Sequence, residues 1–193
     1  MKSRKQLLNL AFSGVFLALA YVLPFFTGQI PEIGSMLCPM HVPVLLCGFV
    51  CGAPYGLVVG FIAPLLRSLT LGMPPFFPKA VAMAFELAVY GLTSGLLYKL
   101  LPKKKSFIYL SLLGSMVAGR IVWGIVMFGL LGFDTSAFGF SAFCASAFVN
   151  AIPGIVAQII LIPALIMILE KTKLMRPQVE EKKETNQSIE QTK

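Results

Sequence analysis

The stretch MHVPVLLCGFVCGAPYGLVVGFIAPLLRSLTL, Met40–Leu71, holds two apolar runs, Met40–Val50 and Tyr55–Leu71, separated only by Cys51-Gly52-Ala53-Pro54. Read as one bent helix, it leaves the chain with five apolar segments; read as two helices, it gives six. The other runs are Gln6–Phe26, Ala80–Leu101, Phe107–Leu131 and Cys144–Leu169, and each approaches or exceeds the ~20 residues needed to span hydrocarbon. Charge decides between the readings. With two helices and the N-terminus inside, Lys2, Arg4, Lys5, Lys99, Lys103, Lys104, Lys105, Lys171, Lys173 and Arg176 all lie on the inner side, and only Arg67 and Lys79 flank the outer side. Merging the helices leaves Lys2, Arg4, Lys5, Arg67 and Lys79 inside and moves the rest out. Cytoplasmic loops carry the excess of Lys and Arg, so the expectation is an all-α integral membrane protein. It is a six-transmembrane-helix bundle with both termini cytoplasmic.

Composition points the same way. The chain is 57% hydrophobic and 12% charged, about half the charged fraction of a soluble domain, whose surface must be wetted. Its apolar residues fall in long runs, which is what a hydrocarbon solvent selects. The expected organisation is one membrane domain, residues 1–176, and a polar tail, residues 177–193, of mixed charge and disordered composition. The net charge of +8 sits in clusters at the ends of apolar runs, where it reads as topology signal and lipid-headgroup contact rather than as a nucleic-acid surface.

Cys38, Cys47, Cys51 and Cys144 form no C-x-x-C pair and have one His to join them, so no metal or redox cofactor is expected. Cys47 and Cys51, one helical turn apart, read as small packing residues. The first run is long for a signal peptide and has no clear cleavage site, so it reads as a retained helix.

Three outer connections follow from the topology: Thr27–Pro39, Arg67–Lys79 and Gly132–Phe143. They are rich in Pro, Gly, Phe and Met. Apolar but irregular backbone must rest against protein, so these loops read as a cover over a site at the outer face, with interfacial loops dipping into headgroups as the alternative.

The sequence has no G-x-S-x-G, H-E-x-x-H, G-x-x-x-x-G-K-[ST] or G-x-G-x-x-G, which leaves it without the usual means of hydrolysing ATP. It does carry Glu86 and Arg120 within apolar runs. Each is costly at membrane depth unless it faces the bundle interior, either as a structural ion pair or as a binding group. Tyr90 lies one turn beyond Glu86, and Trp123 one turn beyond Arg120, so each charge shares its helix face with an aromatic. Asn150 and Gln158 add hydrogen-bonding groups to the last run, although such residues commonly bond across helices. Arg67 and Lys79 bias the entrance weakly toward anions, and His41, lacking metal partners, reads as a structural hydrogen-bonder. Ala11, Gly14 and Ala18 form a small-residue stripe on the first helix that suits either internal packing or an external helix.

Taken in order, the stripe Gly14–Ala18, the Pro/Gly-rich first loop, the run HVPVLLCGFVCGAPYGLVVGFIAPLLRSL (His41–Leu69), the turn GMPPFFPKA (Gly72–Ala80) and AFELAVYGLTSGLLY (Ala84–Tyr98) resemble the substrate-binding S component of energy-coupling factor (ECF) vitamin transporters. The resemblance reaches from the start of the chain to about Arg176. It implies a six-helix subunit of the plasma membrane that captures a vitamin or related micronutrient under its outer loops. It also implies partners, a transmembrane coupling subunit and two cytoplasmic ATPases, and a toppling motion that releases the solute inside. By the same resemblance Gly14 and Ala18 meet the coupling subunit, the family's first Ala being Gly here. Solute contacts would fall on Glu32, Met36, Met73, Phe76, Glu86, Tyr90, Arg120, Trp123 and Asn150. The rival reading is a stand-alone secondary transporter or channel in which Glu86 carries a proton; no inverted repeat of the kind many such transporters show is evident.

Overall fold

The computed structural model describes residues 2–27, 37–102, 105–132 and 151–171. These residues form α1 (Lys2–Val22), α2 (His41–Cys51), α3 (Ala53–Leu71), α4 (Val81–Leu100), α5 (Lys105–Leu130) and α6 (Ile152–Lys171), with short helical turns at Leu23–Thr27 and Phe76–Ala80. No strand occurs among the described residues. Glu32, Met36 and Asn150 lie outside them, as does most of the third connection.

The stretch Met40–Leu71 folds as two helices. Gly52 sits between them at φ 97°, ψ 169°, a region open in practice only to glycine. Its N–H still bonds Gly48 O at 3.1 Å, which closes α2, and Pro54 then opens α3, where a missing N–H costs nothing. Gly72, at φ 69°, ends α3 with its N–H on Ser68 O at 2.9 Å, the usual left-handed stop.

The two halves of the stretch differ in length and environment. Every residue of α2 is buried, but its 11 residues rise only about 16 Å, roughly half the hydrocarbon thickness. Among the described residues, five helical segments are long and apolar enough to cross a membrane: Lys5–Phe26, Ala53–Leu71, Phe76–Leu100, Ser106–Leu130 and Ile152–Glu170. The separation of the two helices agrees with the sequence reading, whereas α2 is a half-length inner helix enclosed by its neighbours.

Helix α4 is central and packs on α2, α3 and α5; α1 lies on α2 and α3, and α6 on α2 and α5. Close approach along α4 depends on residues without side chains. A Cβ on Gly56 would stand 2.5 Å from Gly91 O and 2.8 Å from Gly48 Cα, and one on Gly48 would stand 2.5 Å from Gly91 O. Gly60 faces the Leu87 carbonyl, and Gly95 faces Ala53 and Gly48. These glycines form a seam in which backbone meets backbone, the packing that drives helix association where lipid offers no hydrophobic contrast. Phe49, Leu45, Leu87, Leu112, Ile162 and Ile166 fill the core beside it, together with Cys47 and Cys51, which are packing residues as expected.

Large apolar side chains cover the outside of the bundle, among them Leu7, Leu10, Leu69, Leu100, Ile125, Ile160 and Ile168. In water such a surface would aggregate; in lipid it is the solvated one. The chain is a multi-pass membrane protein.

At the far end of α4, Tyr98 donates to Glu170 Oε1 at 2.5 Å and packs edge-on against Phe49 at 5.3 Å, tying α4, α6 and α2 together. Tyr98→Phe should lower unfolding stability by about 1 kcal/mol, since Glu170 is exposed and rehydrates when the bond is lost. Thermal melts in detergent check this.

Candidate functional site

The polar residues placed in apolar runs converge at the end of the bundle where α2 and α4 begin. Glu86, in the second turn of α4, is 1% exposed, and Arg120, on α5, is 8% exposed. Arg120 Nη1 stands 3.1 Å from Glu86 Oε1, so the inward-facing pair expected from the sequence forms. His41, the first residue of α2, brings Nε2 to 3.5 Å from the same oxygen. Its ring lies 5.2 Å from that of Tyr90, which is held one turn along α4 by helical spacing. Gly119 on α5 lets the Tyr90 ring come close to that helix, since any Cβ there would overlap the ring.

Cys38 completes the cluster. It takes φ 47°, a left-handed conformation unusual for a side-chain-bearing residue, and its carbonyl accepts the His41 N–H at 3.0 Å. Its sulfur accepts from Arg120 Nη2 at 3.6 Å. Burial pushes the Cys38 thiol up from its ordinary range, against the opposing pull of Arg120, so Arg120 meets a neutral sulfur, a weak acceptor.

The cluster is under-satisfied. His41 Nε2 and the Tyr90 hydroxyl face Glu86, while His41 Nδ1 and Arg120 Nε are buried without a hydrogen-bond partner. Such groups are rare in native interiors, and each calls for an occupant or a role. Among the described residues no set of His, Cys, Asp and Glu is arranged to hold a metal ion.

Other expected residues stand apart from the cluster. Trp123 is half-buried one turn beyond Arg120, in a small apolar group with Ala82, Met127, Val126 and Phe128. Met73 and Phe76, at 40% and 49% exposure, lie on the surface of the second connection. Arg67 does not charge an entrance. It is 3% exposed, donates from Nη1 to Tyr21 O at 2.6 Å and stacks on the Phe25 ring at 4.9 Å, fastening the end of α1 to α3. Hydrocarbon disfavours a free cation at that depth, so the side chain turns to the carbonyl and ring within reach. Gln158 is buried, with Oε1 unpartnered. Cys38 and His41 are the members that sequence reasoning left out of the site; the only available signal was a histidine opening a wholly apolar run.

On the opposite flank Gly14 and Ala18 are exposed. They line an open groove of about 410 Å³ with Leu17, Tyr21, Val22, Leu66 and Thr70. A Cβ on Gly14 would meet nothing within 4 Å, so the stripe does not pack internally.

No curated protein and no solved structure matches the chain. Residues 8–167 match the family model described as the substrate-specific component of ECF transporters, a stretch that reaches into each of the six helices described above and holds the buried Glu86–Arg120 cluster and the open α1 groove, and the chain belongs to that family.

Proposed function

We propose that this chain is the solute-capturing subunit of an ATP-driven importer of the plasma membrane. It takes a vitamin or related micronutrient at the Glu86–Arg120 cluster and hands it on with the help of a transmembrane coupling subunit and two cytoplasmic ATPases. The observation that carries this reading is the buried polar cluster itself. A membrane bundle that needed only to stand would not retain two buried polar atoms, His41 Nδ1 and Arg120 Nε, without partners beside an ion pair, because each lowers stability unless something fills its hydrogen bond. The solute would enter between the connections at that end, with Glu32, Met36, Met73, Phe76, Trp123 and Asn150 as further contacts. This orientation puts both termini and the tail, residues 177–193, in the cytoplasm.

The open groove along α1 supports a partner helix rather than lipid alone, since small residues let another backbone approach closely. Gly14→Leu and Ala18→Leu should leave solute binding within about twofold of the parent, because neither residue touches the cluster, and should reduce uptake by about tenfold or more by blocking helix approach. Binding is read on the purified chain, and uptake in vesicles that also hold the coupling subunit and ATPases. Concentrative uptake by vesicles holding this chain alone, collapsing with the proton gradient, would instead establish the secondary-transporter reading with Glu86 as proton carrier.

A further inference from the structure

The guanidinium of Arg120 is occupied unequally. Nη1 faces Glu86 Oε1 at 3.1 Å. Among the described residues, Nη2 has only the Cys38 sulfur at 3.6 Å, and Nε has no hydrogen-bond partner. Nε and Nη2 lie along one edge of the planar group, the edge that grips two oxygens in parallel bonds. One of its donors is thus empty and the other rests on a weak acceptor, in a residue more than nine-tenths buried.

The neighbouring side chains turn toward Glu86. The Tyr90 hydroxyl faces Glu86, and Glu86 Oε1 already lies between Arg120 and His41 Nε2. An amine would have to compete with Arg120 for that oxygen. An acceptor finds the Nε/Nη2 edge instead.

We propose that the Nε/Nη2 edge of Arg120 is a carboxylate fork: the solute carries a carboxylate that takes this edge through two parallel hydrogen bonds and displaces the Cys38 sulfur from Nη2. The inference rests on the reading of the chain as a solute-binding subunit and narrows the solute to carboxylates. A neutral thiol cannot match a charged oxygen for a guanidinium.

The test titrates the full chain in detergent with pantothenate, biotin and nicotinate, each beside its primary amide, and with thiamine and riboflavin as solutes lacking a carboxylate. The tightest binder should be an acid, with its amide about 30-fold weaker, as expected when a charge-assisted pair of bonds is lost. In Arg120→Lys, which keeps the charge toward Glu86 but has no fork, the acid–amide ratio should fall below about threefold. Cys38→Ala should bind the acid about two- to fivefold tighter, because a competing acceptor is gone.

An amide that binds as well as its acid would overturn the proposal in the parent protein alone, whatever the folding of the variants. Retention of the acid preference in Arg120→Lys would also overturn it, and a tenfold loss in Cys38→Ala would overturn the displacement. Tight binding of thiamine or riboflavin instead would overturn the carboxylate fork and leave the binding-subunit reading standing. A panel with no binder would count against both.

Discussion

Gly91→Leu is expected to abolish the folded protein. A Cβ at this position would overlap the carbonyl group of Gly56 and stand 2.8 Å from Gly56 Cα. The obstacle is backbone on both sides, so no rotamer change relieves it, and α3 and α4 must separate. That separation would open the seam at Gly48, Gly56, Gly60 and Gly95 together, because all four meet the backbone of a facing helix. Overpacking in an ordinary core costs about 1–3 kcal/mol where side chains can shift; here the penalty should exceed that range, and the variant should appear as aggregate on size exclusion in detergent. Gly14→Leu is the control. Its added side chain projects into an open groove, and the variant should stay monodisperse with a melting temperature close to the parent's. If Gly91→Leu behaved like Gly14→Leu, the seam would not be the support of the fold.

The ion pair carries the second large effect, and it divides into two parts. Glu86→Gln leaves Arg120 buried without its counter-charge, and Arg120→Gln does the same to Glu86. Removing one partner of a buried pair costs about 3–5 kcal/mol, whereas replacing both is often nearly neutral. The double variant Glu86→Gln/Arg120→Gln should therefore regain most of the lost stability, so that two singles at about 3–5 kcal/mol each and a nearly neutral double give a coupling of about 5 kcal/mol or more in a double-mutant cycle. Solute binding should behave differently. Each single variant should lose it by at least about 30-fold, and the double should stay as weak, because two neutral amides do not rebuild a charged site. Recovery of both stability and binding in the double would reduce the pair to a scaffold. Recovery of stability alone would separate holding the helices from holding the solute.

Much of this was legible before any coordinates. Glu86 and Arg120 had to face inward, because an unpaired charge toward lipid is too costly. Tyr90 followed from helical spacing. The break between Met40–Val50 and Tyr55–Leu71 followed from charge distribution and from Gly52-Ala53-Pro54, and the structure places it at Gly52. Arg67 shows where such reasoning stops. Its position at a helix end suggested an entrance charge, but the nearest acceptor is a carbonyl 46 residues away in sequence, and no local pattern predicts that contact.

The glycines mark the same boundary. Gly14-x-x-x-Ala18, Gly56-x-x-x-Gly60 and Gly91-x-x-x-Gly95 share one spacing, and the spacing alone establishes only that some backbone could approach there. The tertiary structure assigned the last two to the inner seam and left Gly14 facing outward with nothing within 4 Å. It also set Cys38 and His41 beside Arg120 and Glu86, across 82 residues in the first case. The sequence by itself determined which groups hydrocarbon would not tolerate on the outside, because transfer cost is a property of each residue. Which of those groups meet one another depended on how α2 lies against α4 and α5, and that is decided by the summed packing of the whole bundle.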